Sequence, residues 1–138
     1  MLSARFRNAL AVSGVALGML GVTLSSTTSA AAADKAYAWT QATSWGAKAN
    51  DGEGYFQPDG EIFGLRDNRK DGLGVVLEWW IHGSSAGGQL WDTDGYSTSF
   101  KTFDKSFAEG SVVEFHVCLE DGGVIEADTC GAHAVVVA

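Results

Sequence analysis

The sequence predicts an all-β fold, an antiparallel β-sandwich of about seven or eight strands with one disulfide. Five Asp-Gly pairs, Asp51-Gly52, Asp59-Gly60, Asp71-Gly72, Asp94-Gly95 and Asp121-Gly122, punctuate the chain. Asp-Gly supplies the positive φ angles that tight hairpin turns require, and the runs between the pairs are short and either alternating or β-branched. Two runs, residues 75–82 and 111–119, alternate so regularly that one set of side chains faces a core and the other faces away from it.

Taken in order, residues 37–45 are a candidate first strand, followed by a polar, glycine-containing loop to Gly54. Tyr55-Phe56 and residues 61–66 flank the turn Pro58-Asp59-Gly60 as a hairpin. Residues 75–82 form the central strand, with Val75, Leu77, Trp79 and Ile81 on one face and Val76, Glu78, Trp80 and His82 on the other. A small-residue loop, 83–88, leads to a short strand at 89–91. Residues 98–107 are ambiguous, because Phe100, Phe103 and Phe107 also fit a helical face. Residues 111–119 place Val113, Phe115, Val117 and Leu119 on one face and Val112, Glu114, His116 and Cys118 on the other. After Asp121-Gly122-Gly123, short strands at 124–125 and 132–137 complete the set.

The first 33 residues read as a signal peptide. Arg5 and Arg7 precede an apolar stretch, which ends in small residues with cleavage expected after Ala33. That stretch is too short and too diluted by glycine and serine to span a bilayer. Residues 34–138 would then be one secreted, extracellular domain, without membrane attachment. Without Arg5 and Arg7, the nine basic residues fall to seven against 17 acidic ones, a net charge of −10. Such a surface repels nucleic acid and anionic lipid, so neither is expected as a partner. Cys118 and Cys130 are the only cysteines, and in an oxidising compartment a disulfide is their default pairing.

Signals for chemistry are weak. Asp67, Asp71, Gly72 and Glu78 match four positions of a calcium-loop template, but Arg69 and Lys70 occupy two others and the flanks read as strands. His116 and His133 neighbour the cysteines without the short ligand spacings of a zinc site. The carboxylates Glu53, Glu61, Glu78, Asp92 and Glu114 sit in no catalytic motif, and Ser84 and Ser85 lack a nucleophile elbow. No enzymatic activity, metal or cofactor is expected. Trp79 and Trp80 are consecutive on a strand and therefore point to opposite faces, so both cannot enter one core. The aromatic N-terminal segment around Tyr37 and Trp39 can pair with its own sheet or extend into a partner.

The middle of the chain resembles a class of small secreted actinobacterial β-sandwich proteins. The likeness rests on Gly54-Tyr55-Phe56-Gln57-Pro58-Asp59-Gly60-Glu61-Ile62-Phe63, then Asp67, then Asp71-Gly72-Leu73-Gly74-Val75. It continues through Glu109-Gly110-Ser111-Val112-Val113-Glu114-Phe115-His116-Val117-Cys118, with Cys130 as the cysteine's partner in the class. Many such proteins carry a further cysteine where this chain has Arg66. Proteins of this look include adaptor subunits of umbrella toxin particles, which join a lectin-like subunit to the stalk of an antibacterial toxin. The resemblance implies a non-catalytic, protein-binding role in interbacterial competition, with toxin-particle subunits as partners. Tyr37 and Trp39 are the candidates for a partner groove, and Trp80 and His82 for a sheet-face contact. The alternatives are an extracellular carbohydrate-binding protein that stacks sugars on Trp80 or Trp91, and a small secreted inhibitor.

Overall fold

Alternation, turn chemistry and burial agree along most of the chain. The computed structural model describes residues 34–138; the signal-peptide reading lies outside the described residues. Nine strands form two antiparallel sheets: β1 Ala36–Trp39, β2 Gly52–Gln57, β3 Ile62–Asp67, β4 Gly74–Ile81, β5 Gly87–Asp92, β6 Lys101–Asp104, β7 Val112–Asp121, β8 Val124–Glu126 and β9 Ala134–Val137. The first sheet runs β1-β2-β3-β6 and the second β5-β4-β7, with β8 and β9 sharing the far edge of β7. Between those two short strands, Ala127–Thr129 makes one 3-10 turn, and no α-helix is present among the described residues. None of their helices is long and apolar enough to cross a membrane.

The alternation expected for residues 75–82 and 111–119 sets up the core. Val75, Leu77, Val113, Phe115, Val117 and Leu119 are fully buried and pack on Phe56, Phe63 and Leu65 of the first sheet. Each such side chain contributes about 1.5–3 kcal/mol on leaving water. The two sheets approach closely at Gly54, where a Cβ would stand 2.8 Å from both Leu77 Cδ1 and Val117 Cγ2. Cys118 and Cys130 form the expected disulfide, which closes the turn region back onto β7. Constraining a loop of that length is worth about 3 kcal/mol in the chain-entropy view.

Several expectations need correction. The first strand ends at Trp39 rather than at residue 45, because Thr40 Oγ1 accepts from Gly52 N–H at 2.9 Å and Gln41 N–H turns to the Thr129 carbonyl at 2.8 Å. Four of the Asp-Gly glycines take positive φ, but Gly52 does not: the left-handed residue there is Asn50, and Gly52 starts β2. Gly122 and Gly123 both have positive φ, as a two-residue hairpin turn between Asp121 and Val124 demands. Residues 98–107 contain a strand, β6, and not a helix. Phe103 pairs with Phe63 and packs towards the core, whereas Phe100 lies on the outer side against Tyr55.

Candidate functional site

Two surfaces gather chemically distinctive side chains, one on the outer face of each sheet. On the first sheet, the even positions of β2 face the core, so Glu53, Tyr55 and Gln57 face outward. Tyr55 lies flat across Gly64, where any Cβ would collide with its ring. That cradle buries Tyr55 and turns it into a floor. Tyr37 packs on it at 5.8 Å between centroids and stacks on Trp39 at 5.9 Å with planes 13° apart. Phe100 meets Tyr55 edge-on at 4.9 Å. Cations rim the patch: Lys35 Nζ stands 4.3 Å from the Tyr55 centroid and the Arg66 guanidinium 4.4 Å from that of Phe100. Arg66 also pairs with Glu53 and donates to the Thr98 carbonyl at 3.2 Å, which fixes it over the ring. Tyr37 and Trp39 remain 40% and 43% exposed, a large apolar area at the edge strand of its sheet.

On the second sheet, register does what sequence spacing could not. Opposite Glu78 on β4 stands His116 on β7, and opposite Trp80 stands Glu114. Glu114 in turn faces Val135 of β9, which brings His133 to the level of His116. Thus all three histidines of the chain meet on one outer face. Glu114 is its centre: Oε2 contacts His82 Nε2 and accepts from Trp80 Nε1 at 3.2 Å, while Oε1 contacts His133 Nδ1 at 2.6 Å. Glu78 Oε2 contacts His116 Nε2 at 2.9 Å, and its Oε1 accepts from Gln89 Nε2 at 2.8 Å. Trp80 stands edge-on to the rings of His116 and His133, at 5.6 and 5.1 Å.

These contacts set the acid–base state of the carboxylates. Hydrogen bonding from His82, and next from His133, holds the Glu114 carboxyl below its ordinary value of 4.5. Partial burial pushes Glu78 up, but the hydrogen bonds from His116 and Gln89 outweigh it and leave that carboxyl lowered as well. Beside Trp80, a shallow depression of about 510 Å³ is lined by Glu78, Gly88, Gln89 and His116 among others.

Each residue pair singled out in the sequence is therefore brought together, and the two pairs are kept apart: Tyr37 and Trp39 on the first sheet, Trp80 and His82 on the second. Trp79 packs among Phe63 and Phe107 on the inner side, so Trp80 is the outward member of the doublet. Sequence reasoning left out Tyr55, Phe100 and Lys35 on one face and the joint role of Glu114 and His133 on the other. The shared alternation of 78-80-82 with 114-116-118 was the available signal, but only the register of β4 on β7 turns it into contacts. The calcium-loop positions make turn and cross-strand contacts. Asp67 Oδ1 accepts from Arg69 N–H and Asp71 Oδ1 from Leu73 N–H, while Glu78 sits on the outer face with His116. Glu78, His116 and both cysteines place ligand-type atoms within 4.8 Å of one another, but the two sulfurs are joined and offer no thiolate.

A two-sheet antiparallel sandwich carrying one aromatic patch and one Trp-His-Glu cluster on opposite outer faces is what fold and site define. No family model, no curated protein and no solved structure matches the chain.

Proposed function

We propose that the chain is a secreted, non-catalytic protein-binding module that links two extracellular partners. The observation that carries this reading is the separation of its aromatic surfaces. Tyr37 and Trp39 on one sheet and Trp80 on the other are borne by opposite outer faces of a sandwich with a continuous core. Partially exposed tryptophan and tyrosine are the side chains that most often anchor protein contacts. A linker needs two such surfaces held rigidly apart, and this fold supplies them without a hinge between. The likeness to adaptor subunits of toxin particles makes a lectin-like subunit and a toxin stalk the partners to seek.

The test is affinity capture of the tagged protein from the supernatant of its own producer, with mass spectrometry, repeated with Trp39→Ala and Trp80→Ala. Two partners are expected, one lost with each substitution. Recovery of the protein alone, or loss of both partners with either substitution, overturns the linking role. A second reading, carbohydrate binding, is favoured by the depression beside Trp80, whose lining of Glu78, Gln89 and His116 offers hydrogen-bonding groups next to a ring. Retention on cell-wall or plant polysaccharide that Trp80→Ala or Trp91→Ala abolishes would select it instead.

A further inference from the structure

We propose that the outer face of the second sheet docks a basic segment of a partner protein, holding a Lys or Arg side chain against Trp80 at neutral pH and releasing it as the neighbouring histidines take up protons. The inference names the partner chemistry of that face and rests on reading it as a contact surface. Its ground is the distribution of charge. None of the seven lysines and arginines among residues 34–138 lies in β4, β5, β7, β8 or β9, the strands of the second sheet. Two carboxylates flank Trp80 there: Glu114 stands opposite it on β7, and Glu78 lies two positions before it on β4. The outward positions of β5, β8 and β9 carry no charge. Glu120, at the far end of β7, is buried and accepts from the Gly123 N–H at 2.7 Å, and Asp128, in the turn before His133, accepts from Trp45 Nε1 at 2.7 Å.

The counter-charge on this face is conditional on pH. His82 and His133 contact the two oxygens of Glu114, His116 contacts Glu78, and the rings of His116 and His133 stand 4.7 Å apart. Imidazole is the side chain whose charge ordinarily changes between about pH 5 and 8. With the three rings neutral, the two carboxylates leave the face at −2 beside an indole, a combination that suits an ammonium or a guanidinium. With the three rings protonated, the same five groups carry +1 and repel it. Both carboxyls lie below their ordinary value of 4.5 and stay ionised across that range, so the reversal belongs to the histidines. Access is open on the β5 side, where Gly87 stands opposite Trp80 and has no side chain to cover the ring. His82 and His133 are both 46% exposed, so protons reach them without the sheet opening.

The experiment is a proton–nitrogen NMR titration of labelled protein with a short peptide alternating Lys and Ser, and with its Glu and Ser counterpart, at pH 7.5 and 5.5. Lysine keeps its charge over this range, so any pH effect on the basic peptide comes from the protein. The basic peptide should shift the Trp80 Nε1–H signal and the backbone signals of Glu78, Gln89 and Glu114, and the acidic one should not. Affinity for the basic peptide should fall at least about ten-fold from pH 7.5 to 5.5, as the change of sign requires. His82→Asn and His133→Asn replace exposed rings by uncharged groups, and each should shrink that fall; the wild-type shift map stands without either variant. Shifts centred elsewhere on the acidic surface, an equal response to the acidic peptide, or affinity that holds or rises at pH 5.5 overturns the inference. Failure of the linking role is a separate result: capture that yields no second partner, beside a peptide that binds here and leaves in acid, removes that role and keeps this site. A partner lost with Trp80→Ala, beside a basic peptide that does not bind, does the reverse.

Discussion

Thr129 sits at the point where the two sheets are tied together, and replacing it by valine isolates one buried hydroxyl. The residue is fully buried in the 3-10 turn. Its Oγ1 accepts from the Leu119 N–H at 2.7 Å and donates to the Glu126 carbonyl at 2.6 Å, while its own carbonyl receives the Gln41 N–H that follows β1. Thr129→Val keeps the volume and removes the hydroxyl, which leaves the Leu119 N–H inside the protein without a partner. A buried unpaired group costs about 1–3 kcal/mol. For a domain of this size that is a drop in Tm of about 5–20 °C. Thr129→Ser makes the opposite change, keeping both hydrogen bonds and losing one methyl, at about 1 kcal/mol. Scanning calorimetry of the three proteins orders them wild type, serine, valine. A valine variant as stable as the serine one would refute the claim that this hydroxyl, and not the packing of its methyl, holds the turn.

Gly54→Ala drives a Cβ into Leu77 and Val117 at 2.8 Å, both fully buried, so urea unfolding should show a loss of about 1–3 kcal/mol. Asp67 is buried, and that burial, with Asp71, Asp92 and Asp51 nearby, outweighs the Arg69 backbone hydrogen bond and raises its carboxyl above 3.8. Its ionised form is therefore a cost at neutral pH, and Asp67→Asn, which can still accept from Arg69, should raise Tm at pH 7, with the gain shrinking as pH falls through the raised value. Glu78 and Glu114 have the opposite sign. Their folded carboxyls lie below 4.5, so their contribution is whole above about that pH and is lost as pH falls through the folded values. Urea midpoints between pH 5 and 3 should decline less steeply in His82→Ala/His133→Ala/His116→Ala than in wild type. Trp80→Ala should weaken partner capture with little change in Tm, whereas a large fall in Tm with capture intact would assign Trp80 to packing.

What the sequence made legible was local in origin. Alternation identified β4 and β7 with their inner and outer faces, and Pro58-Asp59-Gly60 and Asp121-Gly122-Gly123 marked real hairpins, because both signals report the geometry of neighbouring residues. The end of β1 was illegible: Thr40 turns its hydroxyl to the Gly52 N–H and Gln41 N–H donates to the Thr129 carbonyl, 88 positions away. Asp51-Gly52 misled for a related reason. Gly52 is glycine because a Cβ would meet Val75 Cγ1 at 2.8 Å, a packing constraint from the other sheet that looks like a turn signal in one dimension.

The second face carries that lesson furthest. His82, His116 and His133 share no motif, and their spacings of 34 and 17 residues give no sign along the chain that they share one face. Yet a sheet imposes its own spacing: neighbours in adjacent strands lie about 5 Å apart whatever separates them in sequence. Three strands suffice to surround one carboxylate. Glu114 consequently meets more side-chain partners than its place in an alternating run could announce, accepting from Trp80 and contacting His82 and His133 at once. The third histidine, His116, meets a second carboxylate, Glu78, on the same face. The same reasoning separates the two faces in kind. The first sheet's patch is built on a glycine cradle and ring stacking, which favours apolar contact. The second is built on hydrogen-bond donors and acceptors, which favours polar contact.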